Sequence, residues 1–261
     1  LKGVDCARRL TPVSAKKLKA AGFDGIGRYL GPPDSWKTLT KEEVSAATSA
    51  GLRLFSIWEK APTDAAYFTR TQASIDAREA AYWARLLGQP VGTPIFFTVD
   101  YNASPKELSV IRSYFFQLHR YLSAYTIGAY GSLSVINALH LWQAADCFFQ
   151  TAAWSAGQKS AHADIYQFKN NQHAGGLIVD WNEIYNDAVL WPLPVCKNRY
   201  PGHLIRINSH GNTVRLIQKT LGIRSDGLFG PETERAVRNF QKIKKLQVDG
   251  VIGPQTWAAL F

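Results

Sequence analysis

Eight short runs rich in β-branched and aromatic residues, separated by amphipathic stretches, constrain this chain more than any other feature. The runs fall at 3–6, 24–30, 52–59, 94–101, 126–131, 150–154, 164–168 and 177–181, and helical patterns fill 11–21, 40–50, 69–87, 105–124 and 132–145. Strands alternating with helices specify a parallel sheet, and eight in that order specify a closed (β/α)8 barrel. The runs are nearly continuous apolar segments, as expected of strands covered on both faces. Helix starts agree: Thr40 with Glu43 three residues later forms a capping box, and Ser104 precedes Pro105. The last two connections hold only eight or nine residues, too few for a parallel crossover of roughly a dozen. The expected fold is therefore α/β, an irregular TIM-like barrel with about five helices and a partly antiparallel closing side, over residues 1–191.

The rest of the chain reads differently. Residues 192–208 carry Pro192, Pro194, Pro201 and Gly202 without periodicity, the composition of a semi-rigid linker. Residues 209–261 contain an internal repeat: Asp226-Gly-Leu-Phe-Gly-Pro-Glu-Thr233 matches Asp249-Gly-Val-Ile-Gly-Pro-Gln-Thr256 at an offset of 23. Each copy predicts a tight Asp-Gly loop, a proline in the first helical turn and an amphipathic helix. With a helix near 214–221 they make a small three-helix domain.

A chain of 261 residues, 46% hydrophobic and 19% charged, has enough apolar material for two such cores. No apolar run reaches the roughly 18 residues of a membrane span, and no signal-peptide pattern is visible. The chain has no methionine, so any leader is expected to have been removed or to lie outside it. Cys6, Cys147 and Cys196 are far apart and form no CxxC, which argues against a zinc site or a disulfide scaffold. The net charge of +10 is uneven: residues 1–190 carry only +3, and the last 71 residues carry +7. The charge thus belongs to the linker and tail and suits delivery to an anionic surface. No nucleic-acid motif accompanies it.

In parallel barrels, chemistry gathers where the strands end. Reading those positions in order gives Asp5, Arg28 with Tyr29, Trp58 with Glu59, and Asp100 with Tyr101 and Asn102. Tyr130, Trp154, Tyr166 with Gln167, and Asp180 with Asn182 complete the ring. Four carboxylates among aromatic side chains are what a carbohydrate cleft requires: acids to cleave a glycosidic bond and flat rings to pack on sugar faces.

The tail repeat, with "AVRNFQ" in its helix, resembles the peptidoglycan-binding type 1 domain of bacterial and phage cell-wall enzymes. The first 190 residues resemble the glycoside-hydrolase-like barrel, a domain of unknown function related to family 25 lysozymes. The segments carrying that resemblance are "KGVDCARRL", "GFDGIGRYLGP", "IFFTVDYNAS", "IGAYGS" and "ADIYQFKNNQHAGGLIVDWN". In those lysozymes a D-x-E closes strand four, with further Asp residues on strands one and eight, and Asp5, Asp100 and Asp180 keep these places. Asn102 stands where they carry the catalytic Glu, and an amide donates no proton as a general acid. The resemblance implies a peptidoglycan hydrolase of lysozyme or muramidase type, a phage endolysin or secreted autolysin acting at the bacterial wall. Its expected partners are peptidoglycan and anionic wall polymers, and it is expected to be monomeric, without cofactor or metal.

The expected catalytic set is Asp5, Glu59, Asp100 and Asp180. Glu59 would act as the acid with Trp58 raising its proton affinity, and Asp100 as base, as stabiliser or as orienter of a 2-acetamido group. Arg28, Tyr29, Trp58, Tyr101, Asn102, Tyr130, Trp154, Gln167 and Asn182 would bind substrate. Competing structural assignments pair Glu59 with Lys60 or Arg28, and Asp5 or Asp180 with Arg28. Two other functions stay open: a wall-binding protein with a degenerate barrel, and a glycosidase acting on another wall polysaccharide. His119 and His140 lie within predicted helices with no zinc-ligand spacing. Gly131-Ser132 is not part of a GxSxG elbow, and Cys6 reads as a buried thiol.

Overall fold

A computed structural model describes residues 1–191 and 200–261. The chain divides into two compact units, Leu1–Pro194 and Val195–Phe261. Residues 192–199, with Cys196 and much of the expected linker, lie outside the described residues.

The first unit is a closed barrel of eight strands in sequential order. They are β1 (Lys2–Asp5), β2 (Gly25–Tyr29), β3 (Arg53–Trp58), β4 (Pro94–Thr98), β5 (Thr126–Gly131), β6 (Cys147–Thr151), β7 (Ile165–Ala174) and β8 (Leu177–Ile184). Its α-helices are α1 (Pro12–Ala20), α2 (Lys41–Ala50), α3 (Arg70–Leu86), α4 (Leu108–Tyr121) and α5 (Leu133–Leu141). Local sequence starts several of them. Thr11 caps α1 with a proline in the first turn, Thr40 and Glu43 form the expected capping box on α2, and Gly51 ends α2 in the left-handed region at φ 79°.

The closing side is irregular, as the short connections require. β8 runs antiparallel to both β7 and β1. β7 and β8 form a hairpin that turns at Gly175 and Gly176, with φ of 62° and 84°. β6 corrects one expectation, because the strand is Cys147–Thr151 rather than 150–154. The buried Cys-Phe-Phe run enters the sheet, which leaves 152–164 for the return. That length permits the observed parallel pairing with β7.

Side-chain parity divides each strand between two cores. The outward side packs under the helices, as with Trp58, Phe97, Ile127 and Phe148 against α3–α5 residues such as Ala77, Phe115 and Ile136. The inward side fills the barrel with Phe55, Phe96, Phe149, Ile57, Ile165 and Ile184. Phe55, Phe96 and Phe149 meet edge to face with centroids 5.5–6.3 Å apart. Gly128 makes room for this layer, since a Cβ there would lie 2.5 Å from the Phe96 ring.

In the second unit α6 (Asn212–Thr220), α7 (Pro231–Ile243) and α8 (Pro254–Leu260) enclose Val214, Ile217, Phe229, Val237, Ile252 and Trp257. The repeat becomes a repeated knot. The buried Gln218 amide donates to Asp226 Oδ1, the Leu228 carbonyl and Thr233 Oγ1 at 2.8–3.0 Å and accepts from Gly227 N–H. Gln241 does the same with Asp249, Val251, Thr256 and Gly250. The Asp-Gly loops are therefore architectural: each is tied to the preceding helix by one glutamine.

Candidate active site

A cleft of about 240 Å³ opens at the barrel mouth. Asp5, Tyr29, Ile57, Glu59, Thr98, Asp100, Tyr130, Phe149, Gln167, Asn170 and Asp180 line it. Parity explains the set. Ile57 and Glu59 follow Phe55 at steps of two, Thr98 and Asp100 follow Phe96, and Tyr130 follows Gly128. β3, β4 and β5 thus each contribute an aromatic or small residue to the interior and a polar one to the mouth.

Asp5 is the most buried of the acids, with 2% exposure. It stands directly across the antiparallel β1–β8 ladder from Asp180. Its Oδ2 accepts from Gln167 Nε2 at 2.9 Å and Asn182 Nδ2 at 2.8 Å. Burial, then the Asp180 charge, raises the Asp5 carboxyl to about 7 despite those two donors. Asp180 is also raised by burial, against the Asn171 N–H that donates to its Oδ1 at 2.7 Å. Asn171 reaches it because β7 is irregular there, with φ 56° at that residue.

Asp100 is fixed by its own backbone N–H, which donates to the Pro62 carbonyl at 2.9 Å. Burial, and then the charge of Glu59, raises its carboxyl, while Lys37 acts in the opposite direction. Glu59 itself is ion-paired, its Oε1 lying 2.8 Å from Lys37 Nζ. The partner foreseen as Lys60 or Arg28 is therefore Lys37, a residue of the β2–α2 loop. Lys60 pairs instead with Glu79. Glu59 therefore has a charged neighbour where a proton donor is expected to have apolar surroundings. Trp58 does not provide them either, because it faces outward into the core under the helices. Tyr130 Oη donates to Gln167 Oε1 at 3.0 Å, linking β5 to the carboxamide that holds Asp5.

Other expected substrate-binding residues lie elsewhere. Arg28 is wholly buried on the outward side of β2, where its Nε donates to Glu43 Oε1 at 3.0 Å and Nη1 donates to the Cys6 carbonyl. Only one of the adjacent pair Arg28 and Tyr29 can face the barrel, and it is Tyr29. Tyr101 packs on Phe68 with centroids 6.1 Å apart. Asn102 is exposed in the loop after β4, outside the cleft lining. Trp154, 45% exposed at φ 56°, also lies outside it, because β6 ends at Thr151. Asn182 lies one inward step deeper than Asp180 and holds Asp5 without lining the cleft.

The sequence reading missed Thr98, Asn170 and Lys37. Asn170 and Lys37 belong to an extended hairpin and a loop, which strand-end counting passes over. Among the described residues, no group of three or more His, Cys, Asp or Glu side chains is arranged to hold a metal ion. Cys6 and Cys147 are buried free thiols, and burial pushes Cys6 up to about 11.

A closed barrel with four acids and two tyrosines gathered at one mouth is the arrangement of a glycoside hydrolase-like domain. The chain belongs to the Rv2525c-like, glycoside hydrolase-like domain family, which matches residues 16–187. Residues 210–260 match the peptidoglycan binding domain family. YbfG of Bacillus subtilis (strain 168), an uncharacterized protein, is 33% identical over 147 residues, 50% of this chain and 20% of that protein. FadG of the same organism, also uncharacterized, is 35% identical over 115 residues, 41% and 20% of the two chains. The chain thus spans about a fifth of the length of these relatives. Two solved structures share the barrel fold. The Tat-secreted protein Rv2525c of Mycobacterium tuberculosis superposes with TM-score 0.63 at 22% identity, over 70% of this chain and 94% of that one. An uncharacterized B. stearothermophilus protein superposes with TM-score 0.57 at 18% identity, over 73% and 100%.

Proposed function

We propose that the barrel hydrolyses glycosidic bonds of peptidoglycan in the manner of a lysozyme, and that the C-terminal unit holds it on the wall. The observation that carries this reading is the convergence of Asp5, Glu59, Asp100 and Asp180 with Tyr29 and Tyr130 in one cleft. Glycoside hydrolysis needs a carboxylic acid to protonate the leaving oxygen and a second group to support the oxocarbenium-like centre or activate water. Asp100 suits the first role, because burial and the Glu59 charge favour its protonated form. Glu59, ion-paired with Lys37, suits the second. These roles reverse those expected from sequence, and the reason is the Lys37 ion pair. Asp5 and Asp180 form a coupled pair that tunes the cleft's charge, and the tyrosine rings supply sugar-stacking surfaces. The site of action is the bacterial wall, reached by secretion or by phage lysis.

The test is digestion of purified Gram-positive peptidoglycan with reducing-end assay and mass spectrometry. New reducing ends are expected, with Asp100→Asn and Glu59→Gln each lowering the rate by about a hundredfold or more. Full activity in both variants would overturn the assignment, and new free amines without reducing ends would make the enzyme an amidase or peptidase. Asn102 favours a second reading, a binding protein without hydrolysis. It is an amide where the family 25 lysozymes carry their acid, and it stands outside the cleft. Binding to the wall with neither product would establish that reading. Cleavage of a different wall polysaccharide alone would change the substrate but not the chemistry.

A further inference from the structure

Lys37 is placed by a loop built to hold it. Tyr29 and Thr38 form a bridge, Leu39 N–H donates to the Tyr29 carbonyl at 2.8 Å, and the Thr38 hydroxyl donates to the carbonyls of Pro32 and Ser35. Gly31, at φ 156°, allows the close approach, since a Cβ there would meet the Thr38 methyl at 2.7 Å. The loop therefore packs on itself and projects Lys37 over the cleft rim. There the ammonium lies 2.8 Å from Glu59 Oε1 and 4.9 Å from the centre of the Tyr29 ring. Among the described residues no other cation is ion-paired with Asp5, Glu59, Asp100 or Asp180. Four carboxyl groups line the cleft, and the ammonium beside them is ion-paired with Glu59 alone. Four acidic side chains against one ammonium leave the cleft short of positive charge.

We propose that Lys37 is a specificity-determining residue: by committing its ammonium to Glu59 beside Tyr29, it leaves the cleft acidic, so that the site takes neutral and amino-bearing sugars and rejects uronic acids, whose ring carries a free carboxylate. The inference rests on reading the cleft as a glycan site. A uronate entering it adds a like charge to a partly enclosed cluster, whereas a free amine on a de-N-acetylated sugar supplies the missing counter-charge. The basic tail pulls the whole molecule toward anionic polymers, so this selection would act only in the cleft and opposite in sign to the protein's net charge.

The test is calorimetric and NMR-monitored binding of three tetrasaccharides to the full chain: β-1,4-linked N-acetylglucosamine, its de-N-acetylated form, and a uronic acid oligomer. At low salt the de-N-acetylated probe is expected to bind roughly fivefold tighter than the acetylated one, and the uronate weakest. The contrast should collapse at about 0.5 M salt. Lys37→Met should widen the preference for the amine, Glu59→Gln should narrow it, and Lys37→Arg should restore the wild-type ratios. Uronate binding equal to that of the neutral probe, or ratios unchanged in Lys37→Met, overturns the proposal while leaving the glycan reading intact. Failure of all three probes to bind overturns both.

Discussion

At the scale of the residue, Asp5 shows how a barrel can hold a proton. Its carboxyl faces Asp180 across the ladder and is buried, so the folded chain keeps a proton up to about pH 7, against an ordinary value of 3.8. Folding therefore binds a proton between those values. The stability Asp5 contributes is complete below about pH 4, falls as pH rises toward 7 and is flat above. Asp5→Asn should remove the decline, raising the melting temperature at pH 8 while leaving pH 4 nearly unchanged; scans at the two pH values check it. Gln241 makes the complementary case in the tail. Truncating it to alanine strands the Gly250 N–H and the Val251 carbonyl, each costing about 1–3 kcal/mol. The melting transition of the small unit should shift down or vanish in calorimetry while the barrel transition stays.

At the scale of the element, one residue of α2 joins local and tertiary structure. Glu43 closes the capping box with Thr40 N–H at 3.0 Å and also accepts from Leu10 N–H at 2.7 Å and from Arg28. The capping role was legible in the sequence as Thr-Lys-Glu-Glu, because caps depend on neighbours three residues apart. The Arg28 partnership was not, because it depends on α2 folding back over β2. Glu43→Gln leaves the wholly buried guanidinium with a neutral partner and should destabilise the barrel by about 3 kcal/mol, measurable in urea unfolding. The site was legible to the same degree. Asp5, Tyr29, Glu59, Asp100, Tyr130, Gln167 and Asp180 all occupy the cleft lining, since strand ends and side-chain alternation are local properties. Arg28 and Trp58 were misplaced by ignoring that alternation, and Trp154 by a strand that begins three residues earlier than its pattern implied.

At the scale of the whole molecule, two units with separate cores divide the work. A chain ending at residue 194 should keep the barrel's circular dichroism and melting transition, because its cores are internal to that unit. It should lose most of its co-sedimentation with insoluble peptidoglycan at moderate salt, as residues 210–260 match the peptidoglycan binding domain. Equal sedimentation with and without the tail would place the wall affinity in the barrel.

The sequence by itself determined the count of strands and helices, the antiparallel closing side, the tail repeat and the ends of the first five strands within a few residues. All of these follow from periodicity, connection length and capping, which act over a few residues. The tertiary structure alone decided how the acids differ. Asp5 is set by burial and then by its neighbour Asp180 on a strand far away in the chain, and Asp100 by burial and then by Glu59 just past the adjacent strand. A carboxyl's proton affinity depends on what surrounds it within a few ångströms, and in a closed barrel most of those surroundings come from remote parts of the chain.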